Sequence, residues 1–451
     1  MQPRQLWDDA YGHVRDLVHF DLYEQLRLVR HLIRWIALGA LVGVLAGLSS
    51  AAFLATLDWV TDLREANGWL IALLPIGGLA VGLAYHHLGG ESSEGNNLIL
   101  EEIHEPRSWI PRRMAPLIFV GTIVTQLFGG SVGREGTALQ MSGSLTDWAA
   151  RLLRLRPGDR RTLLIAALAG GFGAVFGVPI AGAVFGLEVQ TVGRIRYEAL
   201  VPCLAASVIG DLVVGGVGVH HTPLPQLGHV DVDLALLGKV AVASLLFGLA
   251  GILFSELTHG LKQLFARLVP WMPARPVLGG VVVILLTVAV GNQTYNGLSL
   301  GLIDQSFAGT VSGWSWLLKL LFTAVTLGAL FQGGEVTPLF VIGAALGATL
   351  AAPLGVPLTL LTALGFIAVF AGAANTPLAC TIMGVELFGG GAVVYFATAC
   401  VVAYVFSSHR GIYSAQRVGV AKGDEIVEPD AILRQLHLDR RRWLPTRRRE
   451  Q

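Results

Sequence analysis

The sequence predicts an all-α polytopic membrane protein whose broken transmembrane helices form two homologous repeats. Hydrophobic residues make up 53% of the 451 residues and charged residues only 14%, with a mean hydropathy of +0.62. This composition excludes an ordinary soluble domain. A series of short apolar segments and an internal repeat of two motifs also support this class. The formal net charge of +1 is uninformative about partners. From the membrane class we expect lipid around the chain and no bound nucleic acid.

The apolar segments vary in length, and glycine or proline interrupts many of them. They lie at about 35–57, 69–88, 114–128, 136–153, 162–176, 179–190, 198–218, 235–257, 276–292, 315–331, 337–352, 358–374, 377–388 and 391–407. A helix that crosses a bilayer needs ~20 apolar residues, and several of these segments are shorter. Short, interrupted segments at corresponding places in two halves of a chain are typical of a transporter's binding site.

Two motifs occur in both halves of the chain. Residues 179–188 (PIAGAVFGLE) match 377–386 (PLACTIMGVE) at an offset of 198 residues (377 − 179). Residues 133–137 (GREGT) match 333–337 (GGEVT) at an offset of 200 (335 − 135). Two matches at nearly one offset indicate two homologous halves, and each half has a glycine-rich helix start that contains a glutamate.

These matches predict a first membrane repeat at 35–218, a linker at 219–234 and a second repeat with a terminal helix at 235–420. In residues 1–34, apolar side chains at helical spacing predict an amphipathic helix on the membrane surface, with a solvated tail as the alternative. Residues 421–451 form a basic tail, too short for a folded domain.

Charge in the connecting loops predicts the orientation of the chain. The basic residues of several loops, and those of the tail, should face the cytoplasm. In the loops they are Arg107, Arg112, Arg113, Arg151, Arg154, Arg156, Arg160, Arg161, Arg194, Arg196, Lys262 and Arg267. The connections that hold Glu65 and Asp231 should face outward. We therefore expect a multi-pass protein with both termini in the cytoplasm.

The segment around Glu135 is the strongest candidate for a functional site. Glycines in the sequence FGGSVGREG, which ends at Gly136, precede an apolar run. The free N–H groups of a helix's first turn, at the positive end of its dipole, bind anions. Glu135 lies in that turn, so its carboxylate can occupy the anion site and leave when protonated. The alternative is a glutamate that only complements the helix dipole, but an ionisable residue at membrane depth is by default a functional candidate.

The sequence offers no catalytic centre. The histidines occur singly or as adjacent pairs such as His220 and His221, and adjacent residues point apart on a helix. Cys203, Cys380 and Cys400 lie in apolar runs without metal-ligand spacing, so we interpret them as small core residues. We therefore expect no enzyme activity, no metal and no cofactor.

The motif at 133–136 (GREG) resembles the signature of the CLC family of chloride channels and anion/proton antiporters. The segments 179–188, 334–338 and 411–415 follow in the family's order, and the similarity covers about 35–420. The resemblance implies an inverted repeat, a homodimer with two anion pathways, and anion sites built from helix N-termini. It also implies that Glu135 is the external gate and proton carrier.

Three departures distinguish this chain from chloride-handling members. Those members have Gly-Ser-Gly-Ile-Pro where 95–99 reads GNNLI, and Gly-Ile-Phe-Ala-Pro where 334–338 reads GEVTP. Val189 stands where chloride/proton exchangers have an internal glutamate. Together with Thr137 after the GREG motif, these changes resemble the fluoride/proton antiporter branch. That branch implies export of fluoride, driven by proton influx, across a bacterial inner membrane.

We predict that the following residues bind the transported anion or line its path. They are Gly95, Asn96, Asn97, Gly133, Arg134, Glu335, Val336, Thr337 and Tyr413. Asn96, with the backbone N–H groups at Asn97 and around Val336, would bind fluoride after its water is lost. Glu335 and Thr337 would form a polar track on the inner side. Tyr413 resembles the family's inner-gate tyrosine.

Each assignment has an alternative. Asn96 and Asn97 are also good helix caps, Glu335 could complement a helix dipole, and Tyr413 could be an interfacial anchor. For Glu188 and Glu386 we favour structural roles at helix breaks. Arg134 could attract anions, but we favour it as a structural partner of a carboxylate or of carbonyls. The alternative function is a chloride-selective channel or chloride/proton exchanger of the same fold.

Overall fold

The computed structural model describes residues 22–423, 428 and 430–436, and these residues are mostly helical. The first half contains α1 (Leu22–Ala66), α2 (Leu74–Leu88), α3 (Asn96–His104), α4 (Met114–Leu127), α5 (Glu135–Leu152), α6 (Pro157–Phe176), α7 (Pro179–Glu188) and α8 (Leu200–Gly216). The second half contains α9 (Leu234–Leu268), α10 (Arg275–Val290), α11 (Gly301–Phe307), α12 (Ser315–Gly328), α13 (Val336–Leu354), α14 (Leu358–Ala374), α15 (Pro377–Phe388) and α16 (Val393–Phe406). Short 3₁₀ turns lie at Gly68–Leu73, Gly90–Glu94, Tyr197–Ala199, Met272–Ala274 and Gly390–Ala392.

A small sheet joins the two halves beyond the last helix. Strand β1 (Thr191–Val192) pairs in parallel with β2 (Arg417–Val418), which pairs antiparallel with β3 (Ala431–Ile432). The sequence analysis missed this sheet because each strand has only two residues, too few to show an alternating pattern.

Helix α1 is longer than predicted. It runs without a break from Leu22 through the expected boundary at 34/35 to Ala66, so the described part of the N-terminal segment extends the first span instead of forming a separate helix. Residues 1–21 lie outside the described residues. Gly39, Gly43 and Gly47 face α8, where an added Cβ would lie 2.7 Å from a backbone oxygen of that helix in each case. Small residues at this spacing allow two membrane helices to pack closely.

Within the described residues, six helical stretches are long and apolar enough to cross a membrane, judged by length and composition. They are Glu24–Ala66, Gly68–Leu88, Tyr197–Gly216, Leu234–Leu268, Met272–Val290 and Val336–Leu354. Other apolar helices are shorter, as the sequence predicts. Helices α6 and α14 are buried along almost their whole length and form the centre of the fold.

The two repeats break their helices in the same way. Helix α6 ends at Gly177 and α14 at Asn375, both in the left-handed conformation, which glycine and asparagine adopt most readily. Pro179 and Pro377 then begin α7 and α15, because proline lacks an N–H and suits the first helical position. The predicted internal repeat is therefore present in the local backbone.

Reciprocal contacts join the repeats. Glu188 accepts hydrogen bonds from the backbone N–H groups of Leu378 (3.1 Å) and Ala379 (2.8 Å) at the start of α15. Glu386 accepts equivalent bonds from Ile180 and Ala181 at the start of α7, both 2.8 Å. Each carboxylate thus satisfies free N–H groups of the other repeat, which confirms the predicted structural roles and indicates an internal two-fold relation.

Candidate anion and proton site

Glu135 lies where the two glycine-rich breaks meet. It is the first residue of α5, and its side chain is completely buried. Its Oε2 accepts hydrogen bonds from the backbone N–H groups of Arg134 (3.1 Å) and Thr337 (3.0 Å). The Thr337 hydroxyl donates to Oε1. The carboxylate therefore fills an anion site with donors from both repeats, rather than from its own helix turn alone.

Glycines bring the two breaks close enough to share this carboxylate. Gly133 and Gly334 exchange backbone hydrogen bonds of 2.6 and 2.8 Å. A Cβ on Gly334 would lie 2.7 Å from the backbone nitrogen of Gly136, and a Cβ on Gly133 would lie 2.9 Å from Oε2 of Glu135. No side chain fits at either position without moving the backbone or the carboxylate.

The side chains of Asn96 and Asn97 make different contacts. The amide nitrogen of Asn96 lies 3.2 Å from the position of a Cβ on Gly136, so the amide contacts the first turn of α5. Within the described part of the chain, its buried Oδ1 has no hydrogen-bond partner. Asn97 accepts a hydrogen bond from the backbone N–H of Ala415 (3.0 Å). The N-cap of α3 is Gly95, without a side-chain capping bond, so the capping alternative is wrong.

Tyr413 is enclosed in the protein. Its side chain is 4% exposed, and its hydroxyl is buried without a hydrogen-bond partner among the described residues. The interfacial-anchor alternative is wrong, because such an anchor exposes its ring at the membrane surface.

Glu335 and Arg134 are charged neighbours of the site. Glu335 is the N-cap residue of α13 but makes no side-chain capping bond, and the charge of Lys262 acts on it. Glu335 could therefore still form part of the inner polar track or only complement the dipole of α13. Arg134 Nε lies 3.6 Å from Oε1 of Glu135, so the arginine is the carboxylate partner that the sequence analysis favoured.

A cavity of about 80 Å³ contacts this group of residues. Its lining includes Arg134 and Thr337, together with Phe176, Phe340 and Phe366. The ring centroids of Phe340 and Phe366 lie 4.3 Å apart in a stacked arrangement. The cavity therefore leads to the donors that hold Glu135.

The profile of the family described as voltage gated chloride channel matches residues 77–408. The chain belongs to this family. It is 48% identical over 405 residues to the chloride/fluoride channel protein of Pseudomonas syringae pv. tomato, an alignment that covers 88% of this chain and 90% of that protein. Among solved structures, the crystal structure of a CLC-type fluoride/proton antiporter aligns with a TM-score of 0.83 and 35% identity, over 86% of this chain and 98% of that one.

A slow cyanobacterial chloride/proton antiporter aligns with a TM-score of 0.71 at 20% identity, covering 84% of this chain and 94% of the other. At that identity the likeness concerns the fold alone. Together these comparisons confirm the predicted CLC-like fold of broken transmembrane helices, and of these two structures the fluoride/proton antiporter is the more similar.

Outside the CLC motifs, Lys319 supports the segment that carries Glu135. Its fully buried ammonium donates to Ser131 Oγ (2.8 Å), Gly297 O (2.8 Å) and Ser299 Oγ (3.0 Å). Ser131 comes four residues before Glu135 in the chain, so the lysine anchors the loop that leads into α5. The sequence analysis missed this role, and the lone lysine inside the apolar segment 315–331 is the signal that could have found it.

Proposed function

We propose that the chain is a fluoride/proton antiporter that exports fluoride from the cytoplasm, driven by proton influx, as a homodimer in a bacterial inner membrane. One observation carries the proposal. The anion site at the meeting of α5 and α13 is filled by the carboxylate of Glu135, an anion whose charge a proton can neutralise.

Protonation of Glu135 opens the anion site. Ionised Glu135 is held by dipoles and hydrogen bonds that favour its charge. A proton from outside neutralises the carboxylate, weakens those interactions and lets the side chain leave. The vacated N–H and hydroxyl groups of Thr337 then donate hydrogen bonds to an anion that enters from the cytoplasmic side. Return of the carboxylate expels the anion outward and releases the proton inward.

The donors around the site suit fluoride. Fluoride is small and strongly hydrated, so a site must replace its water with several strong donors. Asn96 offers two amide N–H donors where a serine would offer one, and Tyr413 offers a buried hydroxyl without a partner in the described residues. The protonated form of Glu135 adds an acid donor. The relative at 48% identity is named a chloride/fluoride channel protein, and the solved structure at 35% identity is that of a CLC-type fluoride/proton antiporter. The second of these supports fluoride over chloride.

The remaining predicted residues have supporting roles in this scheme. Gly95 and Gly133 keep the backbone close to the anion, and Asn97 anchors the segment that carries Tyr413. Glu335 lies on the inner part of the path, and Val336 begins the helix whose N-terminus faces the anion.

Liposomes that contain the purified protein test the proposal. Vesicles loaded with fluoride or with chloride are diluted into anion-free buffer, and efflux is read with ion-selective electrodes while an internal dye reports pH. We expect fluoride release with matching proton uptake and much slower chloride release. Chloride release as fast as that of fluoride, without proton movement, would identify an anion channel instead.

A further inference from the structure

The buried position of Glu135 raises the question of how a proton reaches it from outside. The cavity that contacts Arg134 and Thr337 extends to His221 and Thr222, in the linker between α8 and α9. This linker belongs to the part of the chain that is predicted to face outward. The cavity therefore connects an imidazole on the outer side with the donors that hold the Glu135 carboxylate.

The imidazole of His221 has an acidic neighbour. Its Nε2 lies 3.7 Å from Oδ1 of Asp211 on α8, and the side chains are 25% and 29% exposed. Within the described chain, this nitrogen is buried and makes no hydrogen bond. The ring packs against Gly177, where any side chain would overlap it. The helix end that carries the left-handed glycine thus leaves space for this imidazole.

Burial and the neighbouring charges together determine the protonation of His221. Arg134 and Asp304 line the same cavity, His220 is its neighbour in the chain, and Asp211 faces it from α8. Burial, followed by the charges of Arg134 and His220, lowers the pKa of His221 to about 4. The imidazole is therefore neutral near pH 7 and has a nitrogen that can accept a proton.

We propose that His221, with Asp211 beside it, takes up protons from the outer solution and passes them through the cavity to Glu135. This inference rests on the proposed antiport. The proton leaves external water and binds Nε2, where the Asp211 carboxylate stabilises the imidazolium. Arg134 repels the imidazolium, so its lifetime is short. The proton then moves to the Glu135 carboxylate, the imidazole becomes neutral again, and no other bond is made or broken.

The test is the external-pH dependence of coupled transport in a His221→Asn variant. Fluoride efflux and proton uptake are measured in liposomes at a fixed internal pH and a clamped membrane potential, while the external pH is varied. We expect coupled turnover to fall about tenfold near pH 7. This loss is smaller than the roughly 100-fold or larger contribution that a positioned proton-transfer group usually makes to a rate. The deficit should shrink as the external solution is acidified. His229→Asn is the matched control, since this histidine of the same linker is 81% exposed and does not line the cavity, and it should behave as the parent.

Two further variants separate proton transfer from structure. His221→Gly opens space next to Gly177, and soluble imidazole should restore part of its turnover. Asp211→Asn keeps the imidazole and should lower turnover less than loss of His221. An unchanged pH profile in His221→Asn would overturn the inference. So would a loss that is equal at every external pH and is not restored by imidazole. A parent protein that releases fluoride without proton uptake would overturn the proposed function as well, whereas normal coupling in the parent with an unchanged variant would overturn the inference alone.

Discussion

Thr337 donates both its backbone N–H and its hydroxyl to the carboxylate of Glu135, which begins a helix of the other repeat. This pairing joins the two glycine-rich breaks that the sequence repeat predicts. Both donors belong to one residue at the start of α13. When the carboxylate leaves, both are therefore available to the same bound anion.

The hydroxyl of Thr337 can be removed without changing the size of the side chain. In Thr337→Val the backbone donor stays, and we expect the fluoride concentration for half-maximal efflux to rise about tenfold. A hydrogen bond to a charged group contributes about 1.5–3 kcal/mol, and 1.4 kcal/mol corresponds to a factor of ten. Thr337→Ser, which keeps the hydroxyl, is the control. Equal transport by the valine and serine variants would show that the hydroxyl does not bind the anion.

The close contact at Gly334 is tested by adding one methyl group. A Cβ there would lie 2.7 Å from the backbone nitrogen of Gly136, so Gly334→Ala should separate the two breaks, lower the thermal unfolding midpoint and abolish transport. Gly158→Ala is the matched control, because a Cβ there meets nothing within 4 Å. That change should be neutral or stabilise the protein by about 0.4–1 kcal/mol. A Gly334→Ala protein with parental stability and efflux would contradict the described geometry.

The reciprocal carboxylates should matter for stability rather than for coupling. Glu188→Gln and Glu386→Gln each replace a charged acceptor of two backbone N–H groups by a neutral one. We expect each variant to lose about 1–3 kcal/mol, measured as a lower thermal unfolding midpoint, while the number of protons moved per fluoride stays constant. A changed coupling ratio with parental stability would mean that one of these residues carries protons.

The attachment of the C-terminal segment should depend on pH. A hydrogen bond from Arg417, and then one from Arg107, lower the pKa of the exposed Glu105 to about 2 from its usual 4.5. A lowered pKa means that the pairing stabilises the folded protein above about pH 4.5 and is lost as the pH falls toward 2. Hydrogen exchange of the β2 segment should therefore accelerate over that interval, and Glu105→Gln should remove the transition. Glu91→Gln, another exposed position, should leave it in place.

Much of the fold follows from local sequence rules. Apolar length predicts the spans, and the glycine, asparagine and proline positions around 177–179 and 375–377 explain where helices end and begin. The glycine-rich helix start led to Glu135, and the internal repeat with the family resemblance led to Thr337. Short helices such as α3 and α11 were missed because nine and seven residues show too little periodicity.

Other parts of the site depend on contacts between distant residues. Lys319 reaches Ser131 across 188 positions of the chain, and its own segment reads as a plain apolar span. The stacked rings of Phe340 and Phe366 come from different helices, and each alone looks like core. The partners of Asn97 and Glu135 are also far away in sequence, so their roles emerge only when the repeats are packed together.

The most direct test of the account is proton coupling in Glu135→Gln, with Glu91→Gln as the control. Both variants are reconstituted in fluoride-loaded liposomes, and fluoride release and proton uptake are recorded together. An amide of the same shape cannot take up a proton and carry it inward, so the account predicts no fluoride-coupled proton uptake in Glu135→Gln and parental coupling in the control. Full proton-coupled fluoride release by Glu135→Gln would contradict the central role assigned to this residue.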